Sequence, residues 1–263
     1  MAAPQVNSVK DLHVYGESFT TRDGETKFKS TFVSFLDDDA VAYFGETPVK
    51  SSCLTPEVLR ECLKPIPDEM IYPEPPTDVT EFSSPITGSL YIKRPDLKSW
   101  DDFEGTDFLL RLFLGEIETW ELLRRHPHPN IVRYHGCTVN RGRITGIVLD
   151  QYPTTLEERL KASPRAFNKD LVLEGTESAV AHLHSLGLAH NDLSPVNIML
   201  DECDRPFIID FGSCKPFGSR LMEVGTEGWV EDHSIFSEQR HDDTALQKIR
   251  AWLEKMESEG ISA

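Results

Sequence analysis

The sequence predicts an α+β fold, strand-rich in its first half and mainly helical in its second, and three observations carry that prediction. Short runs with strand character, separated by turn formers, fill residues 1–80. Helical apolar periodicity recurs over about 107–125, 170–186 and 243–257, and a dense polar cluster between strand-like apolar runs occupies 190–212. With 263 residues, 39% hydrophobic and 27% charged, the chain can bury a sizeable core as one large domain or as two small lobes.

Taken in order, LHVYGESFTT, KFKSTFVSFL and AVAYFG read as strands, with a turn at Asp23 and Gly24 and another at the acidic run 37–39. LTPEVLRECL reads as a short helix with Thr55 as N-cap and Pro56 at its first position. Prolines 65, 67, 73, 75 and 76 then mark a linker, so 1–79 reads as an N-terminal accessory region. SLYIKRP is a strand that carries Lys93.

The helix predicted over 107–125 turns Leu109, Leu112, Phe113, Ile117, Trp120 and Leu123 to one face. Glu116 falls on that stripe, and burying a lone carboxylate is costly, so it requires a partner; Lys93 is the natural one. Glu118 is the fallback, and most of the other acids on this helix form its wet face. HPHPNIVRYHG reads as a helix end entering a strand, where the spacing of His126 and His128 suits a metal but the flanking prolines favour a structural role. GRITGIVLDQY follows as a hairpin and TTLEERL as a short helix. The helix at 170–186 is expected to point Leu171, Ala179, Val180, Leu183 and Leu186 inward, with His182 in the core and His184 on the surface. A last helix at 243–257, capped by Asp243, sets Leu246, Ile249, Leu253 and Met256 at helical spacing.

The chemistry lies in HNDLSPVNIMLDECDRPFIIDFG. Asp192 sits two residues after His190, Asn197 five after Asp192, and Asp210 thirteen further on at the end of an apolar run. Those spacings fit phosphoryl transfer, in which negative charge spreads over the transferred group and must be met by metal ions while a nucleophile is aimed in line. Asp210 and Asn197 can present oxygen ligands to Mg2+, and Asp192 is left to take the proton of an incoming hydroxyl.

HNDLSPVN resembles the HRD catalytic loop of the protein kinase superfamily, IIDFG its DFG motif, the Lys93 strand its VAIK strand, and HPNIV and GT-x-GW further segments. The resemblance covers about 80–256 and is similar to that of divergent small fungal kinase-like proteins. It implies a bilobal kinase-like fold with a β-rich small lobe and hinge at 80–152 and a shortened, mainly helical large lobe at 153–263. It also implies ATP and Mg2+ as cofactors, with Lys93 and Glu116 beside Asp192 among the catalytic groups. Gly88, Lys93, Leu149, Asp150, Tyr152, Asn197 and Asp210 become the nucleotide-site residues, Asn197 and Asp210 the metal ligands. Leu149 stands at the gatekeeper position, and the backbone of Asp150, Gln151 and Tyr152 is expected to meet the adenine edge.

Four departures shape that expectation. No GxGxxG loop precedes Lys93, Asn191 replaces the HRD arginine, Ser194 replaces the lysine common in serine/threonine kinases, and helices following the central large-lobe helix are absent. Without the arginine, control by activation-loop phosphorylation is not expected. An active kinase, a pseudokinase scaffold and a small-molecule phosphotransferase all remain compatible with the motifs, and the phosphoacceptor is open between protein and small molecule.

A net charge of −17 argues against nucleic acid as a partner. Five scattered cysteines with no CxxC pair support neither a disulfide framework nor a zinc site, and point to a reducing compartment. No signal-like start and no apolar run of membrane length occur, so an intracellular protein, cytoplasmic or nuclear, is expected.

Overall fold

Strand β3, Ala42–Thr47, shows how the N-terminal sheet is built: Tyr43 and Phe44 are adjacent, point to opposite faces, and enter two different apolar cores. The computed structural model describes residues 4–22, 25–86, 88–162, 167–222, 225–230 and 235–258, so the turn expected at Asp23 and Gly24 lies outside them. The chain divides into two units. The first comprises Met1–Asp78, Arg94–Leu114 and Cys137–Gly146, and the second comprises Val79–Lys93, Gly115–Gly136 and Ile147–Ala263.

In the first unit, strands β1 (Leu12–Arg22), β2 (Glu25–Leu36), β3 and β4 (Lys64–Pro65) form an antiparallel sheet in that order. The Asp37 carboxylate accepts the amides of Asp39 and Val41 at 3.1 and 2.7 Å, which turns the acidic run into the β2–β3 connection. Helix α1 (Pro56–Cys62) begins as its sequence predicts, with the Thr55 hydroxyl accepting the Val58 amide. The proline-rich stretch expected to be a linker is instead packed chain. It contains helix α2 (Asp68–Ile71), and Ile71 and Tyr72 are fully buried with Ala42, Phe44 and, from helix α3 (Trp100–Phe103), Trp100. Full burial of a residue such as Ile71 contributes about 2 kcal/mol.

The second unit opens with β5 (Leu90–Lys93), which pairs antiparallel with β7 (Arg143–Asp150), Lys93 opposite Ile147; β6 (Tyr134–Asn140) flanks β7 on the other side. Helix α4 (Phe108–Arg125) contributes its residues from 115 onward to this unit. Strand β8 (Thr154–Thr155) leads into α5 (Leu156–Ala162), and α6 (Lys169–Ser185) starts at Asn168, whose side chain accepts the Leu171 amide. Short strands β9 (Leu188–Ala189), β10 (Ile198–Leu200), β11 (Pro206–Ile208) and β12 (Lys215–Pro216) carry the central loops, and α7 (Gln239–Ser258) follows. No helix among the described residues is long and apolar enough to cross a membrane.

Three helix expectations are corrected. The buried stripe of α6 is Val172, Leu173, Thr176, Ala179, Val180 and Leu183, while Leu171 and Leu186 are half-buried. His184 is not the surface residue of its pair: its ring bonds buried Asp242 at 2.9 Å, whereas His182 stacks on His128 and reaches the His126 carbonyl. Helix α7 begins at Gln239, so Asp243 is an exposed residue within it and not its cap.

Candidate active site

The β10–β11 hairpin sets Ile198 opposite Ile208, both fully buried, and the register continues when the Ile209 amide donates to the Asn197 carbonyl at 3.0 Å. Asn197 and Asp210 are thereby brought to neighbouring positions, although thirteen residues separate them. The loop before β10 is fixed from within. The His190 Nε2–H donates to the Ile209 carbonyl at 2.9 Å, and its Nδ1 accepts the Asp192 amide at 3.3 Å, an arrangement that assigns the tautomer. Asn197 Nδ2 donates to the Asp192 carbonyl and to its Oδ2 at 2.8 and 3.0 Å, while the Thr226 amide donates to Asp192 Oδ1 at 2.5 Å. The carboxylate is held at both oxygens.

Lys93 lies against this loop system. Its ammonium bonds Glu116 Oε1 and Asp210 Oδ1, each at 2.7 Å, so the pairing expected of Lys93 and Glu116 is present and Asp210 joins it. Glu118 is exposed. Burial works against the Lys93 charge, but the two carboxylates outweigh it and hold its pKa above the ordinary lysine value. For Asp210, burial would raise the pKa, and the Lys93 charge and hydrogen bond overcome it and lower it. Asp210 takes a left-handed backbone (φ +62°), which aims its side chain back toward Lys93 and the Gly212 amide.

Apolar packing sets the pair in place. Trp120, fully buried, donates its Nε1–H to Glu116 at 3.1 Å and meets the Phe211 ring edge-on at 4.7 Å; His190 covers Phe211 at 5.1 Å. Sequence reasoning missed two further buried acids. Glu121, not singled out among the acids of α4, is 5% exposed and accepts bonds from Thr80 and Tyr134. Asp242 is 0% exposed and accepts the His190 and Asn191 amides, each at 2.9 Å, besides the His184 ring. Its signal was available, since Asp242 lies on the stripe of Ala245, Ile249 and Leu253.

The family model described as the protein kinase domain matches residues 100–246, more than half of the chain. The chain belongs to the protein kinase family. Among its relatives is the serine/threonine-protein kinase/endoribonuclease IRE1 of Hypocrea jecorina (strain QM6a), 32% identical over 154 residues, covering 48% of this chain and 12% of that protein. The human serine/threonine-protein kinase/endoribonuclease IRE2 is 34% identical over 149 residues, covering 49% and 16%. The serine/threonine-protein kinase VHS1 of Saccharomyces cerevisiae (strain ATCC 204508 / S288c) is 32% identical over 121 residues, covering 44% and 26%. The aligned stretch is thus about half of this chain and no more than about a quarter of these relatives.

The remaining nucleotide-site candidates of the kinase domain are placed as follows. Leu149 is buried opposite Tyr91 in the β5–β7 ladder. The Asp150 amide donates to Arg133, the Gln151 amide to Ser89, and the Asp150 carboxylate pairs with His135 at 2.7 Å. Two of the hinge amides expected at the adenine edge are therefore already used within the chain. Tyr152 stacks on Phe207 at 4.0 Å. Gly88 is exposed, and a Cβ added there would meet nothing within 4 Å, so no close approach demands glycine. Ser194 is fully buried, and its hydroxyl has no hydrogen-bond partner among the described residues.

The donor set suits Mg2+. With Asn197 Nδ2 committed to Asp192, the amide oxygen is the atom of Asn197 that could serve as a ligand. Asp210 engages Lys93 and Gly212 through Oδ1 alone among the described contacts. One carboxylate and one amide oxygen leave room for phosphate and water, as Mg2+ prefers.

Proposed function

We propose that the chain is an ATP-dependent phosphotransferase of the protein kinase type, transferring the γ-phosphate to a hydroxyl of a protein serine or threonine. The observation that carries this reading is the Lys93 ammonium shared between Glu116 and Asp210, beside an Asp192 carboxylate interlocked with Asn197. In it, Lys93 binds the α- and β-phosphates and Glu116 keeps the ammonium extended and charged. Asn197 and Asp210 would hold Mg2+, which would supply positive charge against the transferring phosphoryl group. Asp192, oriented by the Asn197 amide, accepts the proton of the attacking hydroxyl. Leu149 lines the adenine side, with Gly88, Asp150 and Tyr152 around it. Residues 1–79 serve as an accessory region, 80–152 as small lobe and hinge, and 153–263 as part of the large lobe.

Two variants test the reading in the full chain. Asp210→Ala is expected to abolish the Mg2+-dependent thermal shift given by ATP, and Asp192→Asn to remove γ-phosphate transfer to a mixed panel of peptides and small metabolites while leaving that shift intact. A wild type that binds MgATP but transfers to nothing on the panel, including water and itself, identifies a nucleotide-binding scaffold instead. Transfer confined to small metabolites moves the acceptor from protein to small molecule.

A further inference from the structure

The two edges of the N-terminal sheet are built differently. One edge is β4, two residues long and made of Lys64 and Pro65, the short, charged and donor-poor kind that discourages a further strand. The other is β1, eleven residues long, with no lysine or proline and, between His13 and Arg22, one charged residue, Glu17. That charge does not guard the edge, because its carboxylate accepts the Ser51 amide at 2.9 Å and the Ser51 hydroxyl at 2.7 Å. From His13 to Arg22 the main chain bonds only β2 among the described residues. The amides and carbonyls that alternate residues turn away from β2 are thus open to another strand.

Apolar surface follows the same edge. Tyr15 and Phe19, 50% and 55% exposed, are the only large apolar side chains of the first unit so exposed among the described residues. The register shift near Phe19 skips Lys29 on β2, so β1 alternates without a break from Val14 onward, and both rings share one face, two positions either side of Glu17. Gly16 leaves no gap, since the Phe32 ring lies 2.5 Å from where its Cβ would stand. We propose that β1 is the seam of a reversible dimer, paired antiparallel with β1 of a second copy of this chain about a two-fold axis at Glu17. That register sets Tyr15 opposite Phe19 of the second copy and Phe19 opposite its Tyr15, whereas moving the axis one residue either way sets Glu17 opposite a ring. Two Glu17 carboxylates then meet at the axis, a like-charge cost that their bonds to Ser51 lessen. The seam is about 35 Å long and one strand spacing, about 4.8 Å, wide. It falls short of the roughly 1,200–2,000 Å² of a stable specific interface, so the dimer is expected to be weak, with a Kd on the order of 10–100 µM.

Sedimentation velocity of the full chain, from about 1 to 200 µM, reads the association, and amide exchange of the wild type reads the seam. The dimer fraction is expected to rise across that range, and the β1 amides to exchange more slowly at its upper end while exchange at Lys64 on β4 does not change. Tyr15→Lys and Phe19→Lys, both at exposed positions, are expected to raise Kd about tenfold. Glu17→Gln, which removes the like charges at the axis, is expected to lower it. No nucleotide enters these measurements, so the dimer and the phosphotransfer reading fail separately. A wild type that is monomeric throughout overturns the dimer, as does a dimer in which β1 exchange is unchanged or in which both lysine variants associate like the wild type. A monomer whose β1 exchange is slowed by an added peptide, LHVYGESFTTR, also overturns it and assigns the edge to a foreign strand.

Discussion

Helices α4 and α7 each carry a carboxylate into the interior of the second unit, and the two are satisfied in opposite ways. Glu116 on α4 answers to side chains, the Lys93 ammonium and the Trp120 indole. Asp242 on α7 answers chiefly to the main chain, accepting two consecutive amides of the 190–197 loop, with the His184 ring as a third partner. A side-chain partner can rotate away or exchange one acceptor for another, whereas a pair of backbone amides can leave only if the loop refolds. The first arrangement suits a group that must engage a ligand, and the second suits a scaffold.

Breaking the α7 side of this comparison should have the largest effect. Asp242→Ala leaves two buried amides without an acceptor and is expected to cost about 3–5 kcal/mol, read as a lower urea midpoint, with transfer activity lost in parallel. The α4 side should separate function from stability. Glu116→Gln keeps an acceptor for Trp120 and Lys93 but removes a charge, so kcat/KM is expected to fall about tenfold while unfolding free energy changes by about 1 kcal/mol or less.

The smallest effect sharpens the comparison through pH. Asp210 has its pKa lowered in the folded state, so the stability it contributes is present above the unfolded carboxylate value of about 3.9 and is lost as pH falls through the folded value. Asp210→Asn is therefore expected to flatten the acid limb of the urea midpoint as pH falls below the unfolded carboxylate value, modestly, because the side chain is 43% exposed. Equal acid limbs in the two proteins would remove the Lys93–Asp210 pair as a contributor. Lys93 has the opposite sign: its raised pKa contributes stability below the unfolded value of about 10.4, lost only as pH rises further.

Local patterns made several elements legible in advance. The period of α4 identified Glu116 as buried and in need of a cation, and Thr55 with Pro56 marked the start of α1. The proline-rich stretch misled because proline density signals an extended chain, while the burial of Ile71 and Tyr72 depends on β3 and α3. The ranking of His182 and His184 failed for a related reason: helical spacing ranks faces only by apolar neighbours, and the Asp242 carboxylate that draws in His184 lies 58 residues away.

By itself the sequence determined which polar groups assemble, because His190, Asp192, Asn197 and Asp210 lie in one hairpin-linked stretch whose spacing is transmitted through local backbone pairing. It also determined that Lys93 and Glu116 belong together, since a buried carboxylate on an apolar stripe has few ways to be neutral. Only the tertiary structure decided that Asp242, and not Asp243, carries the loop, and that His184 turns to meet it. Those outcomes depend on partners more than fifty residues distant, which no period in the chain encodes.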